Sequence, residues 1–117
     1  MYISFMNKSS LYKGCLEHFV LRLLDNQKRM YGYELTQKVK ELTAGDLVIT
    51  EGALYPLLHR LEAEGLLDSE IKIVDNRPRK YYFLTPKGKK NAPQAATELK
   101  RFLENIQSIL QPKTSLG

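Results

Sequence analysis

A proline stands inside an otherwise regular helical stripe, and it constrains this chain more than any other residue. In Thr50-Glu-Gly-Ala-Leu-Tyr-Pro-Leu-Leu-His-Arg-Leu-Glu-Ala-Glu-Gly65, the residues Leu54, Leu57, Leu58 and Leu61 recur at i, i+3, i+4 and i+7. That spacing is one face of an α-helix. Thr50 reads as its N-cap and Gly65 as its stop. If Thr50 caps, Pro56 falls past the first turn, where its missing N–H leaves the Gly52 carbonyl without a partner. Gly52 and Pro56 therefore read as a matched pair shaping a bent first turn; the alternative is a helix that starts near Tyr55. Either way Tyr55 is expected at an exposed helix N-terminus, where backbone N–H groups and the dipole favour phosphate. The face opposite the stripe, Gly52, Tyr55, Pro56 and His59 with Arg60 beside it, runs from small to aromatic to basic. It suits a partner pressed close. The plainer reading is a core helix with incidental surface residues.

The rest of the chain decides between these readings. Leu16, Phe19, Val20, Leu23 and Leu24 mark a helix beginning near Ser10, and Leu11 and Cys15 extend its apolar surface to a second face. Two apolar faces in a small domain call for a second partner. Asp25 to Arg29 is a polar break. A second helix is expected from Tyr31 or Gly32 to Thr43, with Leu35, Val39 and Leu42 inward and Gly45 as its C-terminal glycine. Leu47-Val-Ile49 is at most a strand stub. Two helices joined by a short connection, the second with an unusual outer face, make a helix-turn-helix. Residues 66–74 and 80–85 alternate as strands about the turn Asp75-Asn-Arg-Pro-Arg79. Arg77 and Arg79 are placed at the tip of this hairpin, with Tyr82 and Leu84 in the core and Tyr81 and Phe83 partly exposed.

A last helix spans 86–110, where Leu99, Phe102, Leu103, Ile106, Ile109 and Leu110 form a stripe with little in the chain left to cover it. Pro93 should bend it, or divide it so that a fresh helix begins near Ala92. The expectation is one domain over 1–117: a winged helix-turn-helix over 10–85 and a dimerisation helix over 86–111, mainly α with a β-hairpin wing. An irregular arm over 1–8 and a frayed tail over 111–117 flank it.

Eighteen basic against thirteen acidic residues give +5. Residues 72–90 hold seven basic side chains and one acidic, +6, so the remainder is close to neutral. A concentrated basic segment points to an anionic partner. Cys15 is the single cysteine, which excludes an internal disulfide and places the chain in a reducing cytoplasm. No apolar run approaches the roughly 18 residues that cross a bilayer, and the first residues lack the layout of a signal peptide. His18 and His59 sit on different helices. With no nucleophile–base–orienter set, metal-ligand spacing or Gly-rich phosphate loop, neither an enzyme nor a cofactor or metal site is expected.

Lys13-Gly-Cys-Leu-Glu17, Tyr31-Gly-Tyr-Glu34, Gly52-Ala-Leu-Tyr-Pro56, Arg60-Leu-Glu-Ala-Glu-Gly-Leu66 and Arg79-Lys-Tyr-Tyr-Phe-Leu-Thr85 together resemble the PadR family of bacterial transcriptional regulators. The likeness covers residues 11–110, and the single C-terminal helix resembles the small subfamily. It implies a homodimer that binds operator DNA and usually represses, built on the first and last helices: Leu11, Cys15, Phe19, Leu99, Phe102, Leu103, Ile106 and Leu110. It also implies a small aromatic or cationic effector. Some small members stack planar drugs on tryptophan at the dimer interface; this chain has no Trp, and Leu99 stands at the corresponding position. Pro93 also departs from the family's uninterrupted helix.

Double-stranded DNA requires phosphate anchors and a few base contacts. Tyr33, Thr50 and Tyr55, with hydroxyls near helix N-termini, and Lys38 suit phosphate. Gly52, Ala53 and Pro56 allow close approach, and Tyr55, His59 and Arg60 are candidates for base edges. Arg77 and Arg79 suit the minor groove or its phosphates, and Lys80 the backbone. The competing reading is a winged helix that binds protein and not DNA; an acidic or apolar wing would favour it, and this wing is basic.

Overall fold

The computed structural model describes residues 11–111. The arm expected over 1–8 and the tail beyond Gln111 lie outside the described residues. Helix α1 (Leu16–Asn26) buries Val20, Leu21, Leu23 and Leu24. The short strand β1 (Met30–Tyr31) and helix α2 (Gly32–Leu42) follow, then α3 (Glu51–Ala63), strands β2 (Leu67–Val74) and β3 (Arg77–Leu84), and helix α4 (Pro86–Leu110). The three strands form one antiparallel sheet in the order β1-β3-β2. One buried cluster, from Val20 on α1 through Leu35, Leu54, Leu58 and Leu61 to Tyr82 and Leu84, joins helices and sheet.

The element ends follow local chemistry. Regular α1 begins only at Leu16, because a single 3₁₀ turn at Lys13–Cys15, centred on Gly14, interrupts the helix expected from Ser10. It runs two residues into the expected polar break, through Asp25 and Asn26. At the start of α2 the Tyr31 N–H donates to Glu34 Oε1 at 3.1 Å, satisfying one of the helix's free donors. At its end, Gly45 N donates to the Lys40 carbonyl at 2.7 Å and Ala44 N to Glu41 at 3.1 Å. This double bond pattern puts Ala44, at φ 51°, first past the helix cap and the expected Gly45 next to it, also left-handed at φ 82°. Leu47 and Ile49 then alternate inward about exposed Val48, but no ladder forms there.

Thr50 caps α3, its Oγ1 accepting from Ala53 N at 3.2 Å. The helix runs unbroken through Pro56, so it starts at the earlier of the two expected places. Leu54, Leu58 and Leu61 are at most 1% exposed. Cutting any one to alanine is expected to cost about 2–5 kcal/mol. Gly65 at φ 80° closes it.

Two strand expectations are corrected. The sheet gains a third strand, β1, which sets Met30 and Tyr31 opposite Tyr82 and Tyr81. The turn is Asp75-Asn76 alone, both residues at positive φ, which is the two-residue geometry that matches strand twist. Arg77 and Arg79 therefore lie in β3, opposite Val74 and Lys72, and not at the tip. Pro78 is tolerated within a strand because β1 reaches only Tyr81 and Tyr82, leaving β3 without a neighbour on that side at Pro78. Tyr82 and Leu84 are buried and Tyr81 and Phe83 half-buried, as their alternation requires.

Helix α4 is continuous through Pro93, so no fresh helix begins near Ala92. Gly88 and Ala92 bury the inner face of its first turns, while Pro93 is on the exposed side. The carbonyl that Pro93 leaves unpaired, on exposed Lys89, can take water. Every residue from Arg101 to Leu110 is exposed. No helix among the described residues is long and apolar enough to cross a membrane.

Candidate nucleic-acid interface

The first half of α3 presents a bare outer face. Thr50, Gly52, Ala53, Pro56 and His59 are all exposed. A Cβ added at Gly52 would meet nothing nearer than Thr50 Oγ1 at 3.9 Å. Small groups on a helix held from behind by buried leucines let a partner approach the backbone closely. Tyr55 is not on this face. Its ring is half-buried against the core and its hydroxyl lies over Gly32, so close that a Cβ there would sit 2.5 Å from it. The expected exposed N-terminal position for Tyr55 is therefore corrected: the helix starts four residues before it, at Glu51, and the side chain fills the α2–α3 crossing.

Arg60, exposed beside this face, is engaged by two carboxylates. Its Nη2 donates to Glu17 Oε1 on α1 at 2.6 Å and its Nη1 to Glu64 Oε2 at 3.1 Å. The Glu17 and Glu64 hydrogen bonds raise its already high pKa further. Between the 3₁₀ turn and α3 lies an open cleft of about 720 Å³, lined by Lys13, Gly14, Gly52, Ala53, Pro56 and Arg60 among others.

At the α2 N-terminus, Tyr33 is 61% exposed. Its ring stacks on Tyr31 at 6.4 Å, Tyr31 meets Tyr81 edge-on at 5.3 Å, and the Arg79 guanidinium lies 4.7 Å over the Tyr31 ring. This chain of rings brings Tyr33 and Arg79, 46 positions apart by their numbering, onto one surface. Sequence reasoning missed Tyr31 as its centre, because pairing between strands so far apart in the chain leaves no local trace. Lys38 is half-buried and pairs with Glu41 at 3.5 Å, so its charge is partly answered within α2.

The hairpin has two unlike sides. Strand register puts Lys72, Arg77 and Arg79 on one side with Tyr81 and Phe83, and Ile71, Ile73, Pro78 and Lys80 on the other. Arg77 is exposed and, among the described residues, has no ion-pair partner. Lys80 is 3.6 Å from Glu62 and 5.2 Å from the Tyr82 ring centre. Burial opposes its charge, but Tyr82 and Glu62 outweigh it and hold the ammonium above the ordinary lysine range. Burial in turn pushes the Tyr82 phenol up. Lys80, expected to hold DNA backbone, is thus paired with Glu62 on α3 while its side chain stays 42% exposed.

The second candidate surface is apolar. Leu11, Phe102, Leu103, Ile106 and Leu110 are exposed, while Cys15, Phe19 and Leu99 are half-buried. His18 Nε2 lies 2.7 Å from Glu98 Oε1 and ties α1 to α4. Two clefts of about 240 and 210 Å³ share His18 and Leu99. No group of three His, Cys, Asp or Glu among the described residues is placed to hold a metal.

Set beside known proteins, residues 20–94 match the model of the transcriptional regulator PadR-like family. The Mycobacterium tuberculosis protein called transcriptional regulator Rv3488 is 43% identical over 89 residues, 76% of this chain and 75% of its own length. The crystal structure of a PadR-like transcription factor from Bacteroides fragilis superposes with a TM-score of 0.68 at 37% identity, covering 87% of this chain and 96% of that one. A transcriptional regulator from Clostridium thermocellum gives 0.77 at 29% identity, over 88% of this chain and 100% of that one.

Proposed function

The chain belongs to the PadR-like family of transcriptional regulators, and from that premise we propose that it is a repressor that binds operator DNA as a homodimer. The observation that carries this is the juxtaposition of a bare, small-residue face on α3 with a hairpin that concentrates cations. Gly52, Ala53, Pro56 and His59 enter the major groove and allow the backbone close to base edges. Thr50 and Tyr33 anchor phosphate at two helix N-termini. Arg77 and Arg79 neutralise phosphates along the flanking minor groove. The likeness to the Bacteroides fragilis protein, a PadR-like transcription factor, supports this reading.

The dimer is formed by α1 and the far half of α4. Phe102, Leu103 and Ile109 are 49%, 57% and 77% exposed on one amphipathic helix. An apolar stripe of that extent on a free-standing helix marks an interaction surface. A small aromatic or cationic effector binds at that interface, beside His18 and Leu99, in the cytoplasm.

Footprinting the purified protein on DNA upstream of its own gene tests the proposal. The expected result is protection of a twofold-related site whose half-sites lie about 10 base pairs, or a multiple, apart. It should survive heparin competitor. Binding that heparin abolishes, equal on operator and scrambled duplex, would instead favour the protein-binding reading.

A further inference from the structure

The recognition helix α3 is held in two different ways around its last turn, which contains Arg60. Just beyond the helix, side chains of the following segment hold its backbone carbonyls. Thr85 Oγ1 donates to the Gly65 carbonyl at 2.6 Å, Lys87 Nζ to the Glu64 carbonyl at 2.9 Å, and Gly88 packs directly under the Leu66 carbonyl. Its outer flank toward α1 borders the 720 Å³ cleft. Arg60 reaches across that side to Glu17.

A guanidinium that holds two carboxylates is a poor reader of DNA. Arg60 with Glu17 and Glu64 sums to −1, so it offers no net attraction to phosphate. To reach a guanine edge it would have to release both carboxylates beside a polyanion. Glu17 and Arg60 are 35% and 50% exposed, and pairs so exposed add little to stability. What such a pair does supply is direction, because the planar guanidinium fork fixes both partners at once. The next residue of α1, His18, makes the matching tie to Glu98 on α4. Consecutive side chains of α1 thus point to the recognition helix and to the dimerisation helix.

We propose that Arg60 is a positioning residue that sets the angle of the recognition helix against α1 through Glu17, and that it contacts no base. The inference rests on the DNA-binding reading above. It reverses an electrostatic expectation, since Glu17→Gln removes a negative charge near DNA and on charge alone should tighten binding.

The test is titration of wild type, Glu17→Gln, Arg60→Gln, the double variant and Glu64→Gln against the footprinted duplex and a scrambled one. Melting temperature and sedimentation confirm folding and assembly for each. Glu17→Gln is expected to weaken operator binding about fivefold or more while scrambled binding holds or tightens. The double variant should be no weaker than the worse single variant, and Glu64→Gln should stay within about twofold of wild type. Charge exchange, Glu17→Arg with Arg60→Glu, should recover most of the operator affinity that Arg60→Glu loses; a base-reading arginine could not be rescued this way. Operator binding by Glu17→Gln equal to or tighter than wild type overturns the inference and leaves the DNA-binding reading intact. So do losses that multiply in the double variant. Failure of the wild type to bind the footprinted duplex overturns both.

Discussion

Replacing Arg77 and Arg79 by alanine separates what the hairpin contributes from what α3 contributes. Each phosphate that a cation no longer neutralises lowers the log–log salt slope of DNA binding by roughly 0.9. Two arginines in each of two wings neutralise up to four phosphates, so the double variant should flatten the slope by roughly 3.6 if all four are reached. Between about 50 and 200 mM salt the variant should then lose about 150-fold less affinity than wild type loses over the same interval. Specific and scrambled duplexes should be affected alike. The two residues are also distinguishable. Arg77 has no ion-pair partner among the described residues, so Arg77→Ala should flatten the slope without altering stability. Arg79 lies over the Tyr31 ring, so Arg79→Ala should in addition lower stability by about 0.5–1 kcal/mol. Lys72 and Lys80 are 3.8 and 3.6 Å from Glu70 and Glu62, and each should neutralise less than one full phosphate charge. The assay is fluorescence anisotropy on operator and scrambled duplex across a salt series. Loss of the operator-to-scrambled ratio at an unchanged slope would show that the hairpin reads sequence or shape, and the division of labour would be reversed. No change in either quantity would take the hairpin off the DNA.

Further outcomes follow from the packing. Phe102→Asp with Ile106→Asp places charges on the exposed α4 stripe and should give a folded monomer by sedimentation; an unaltered dimer would move the interface elsewhere. Gly88→Ala gains about 1 kcal/mol of helix propensity, but its Cβ would stand 2.1 Å from the Leu66 carbonyl oxygen, so the net effect should be a loss of about 2 kcal/mol or more in thermal unfolding at fixed protein concentration. Ala44 occupies a left-handed cap at φ 51°, so Ala44→Gly should stabilise by about 0.5–1 kcal/mol; a loss of stability would mean the cap is not formed.

Helix-forming stripes and caps were legible because they are local, except that Leu42, expected inward at the end of α2, is 65% exposed. Thr50, Gly65, the leucines of α3 and the inward pair Tyr82 and Leu84 are all set by residues within a few positions. The two-residue turn was available too, since Asp and Asn tolerate positive φ, but Pro78 drew the boundary outward. The misplacements share one cause. Tyr55 faces inward because Gly32, on another helix, leaves room for its ring. Arg60 is engaged because Glu17, 43 residues away, reaches it. Met30 and Tyr31 form a strand because Tyr81 and Tyr82 lie alongside. Periodicity reports which face of an element is apolar; it carries nothing about which distant side chain a polar or aromatic residue will meet.

These distant partners divide the work of holding α3. At its C-terminal end the fixings are hydrogen bonds to the Gly65 and Glu64 carbonyls and the close approach at Gly88, all short-ranged and little affected by salt. Toward α1 the fixing is an exposed ion pair beside an open cleft, which salt screens and a charge change can release. The same α1 that carries the tether carries His18 and lies against α4. Glu17 and Arg60 are partly exposed and outside the buried cluster of Leu54, Leu58 and Leu61, so releasing their pair leaves that core in place. On this argument stability and discrimination are separable in this fold. Substitutions at Gly88 should move the melting temperature, and substitutions at Glu17 should move the ratio of operator to scrambled binding.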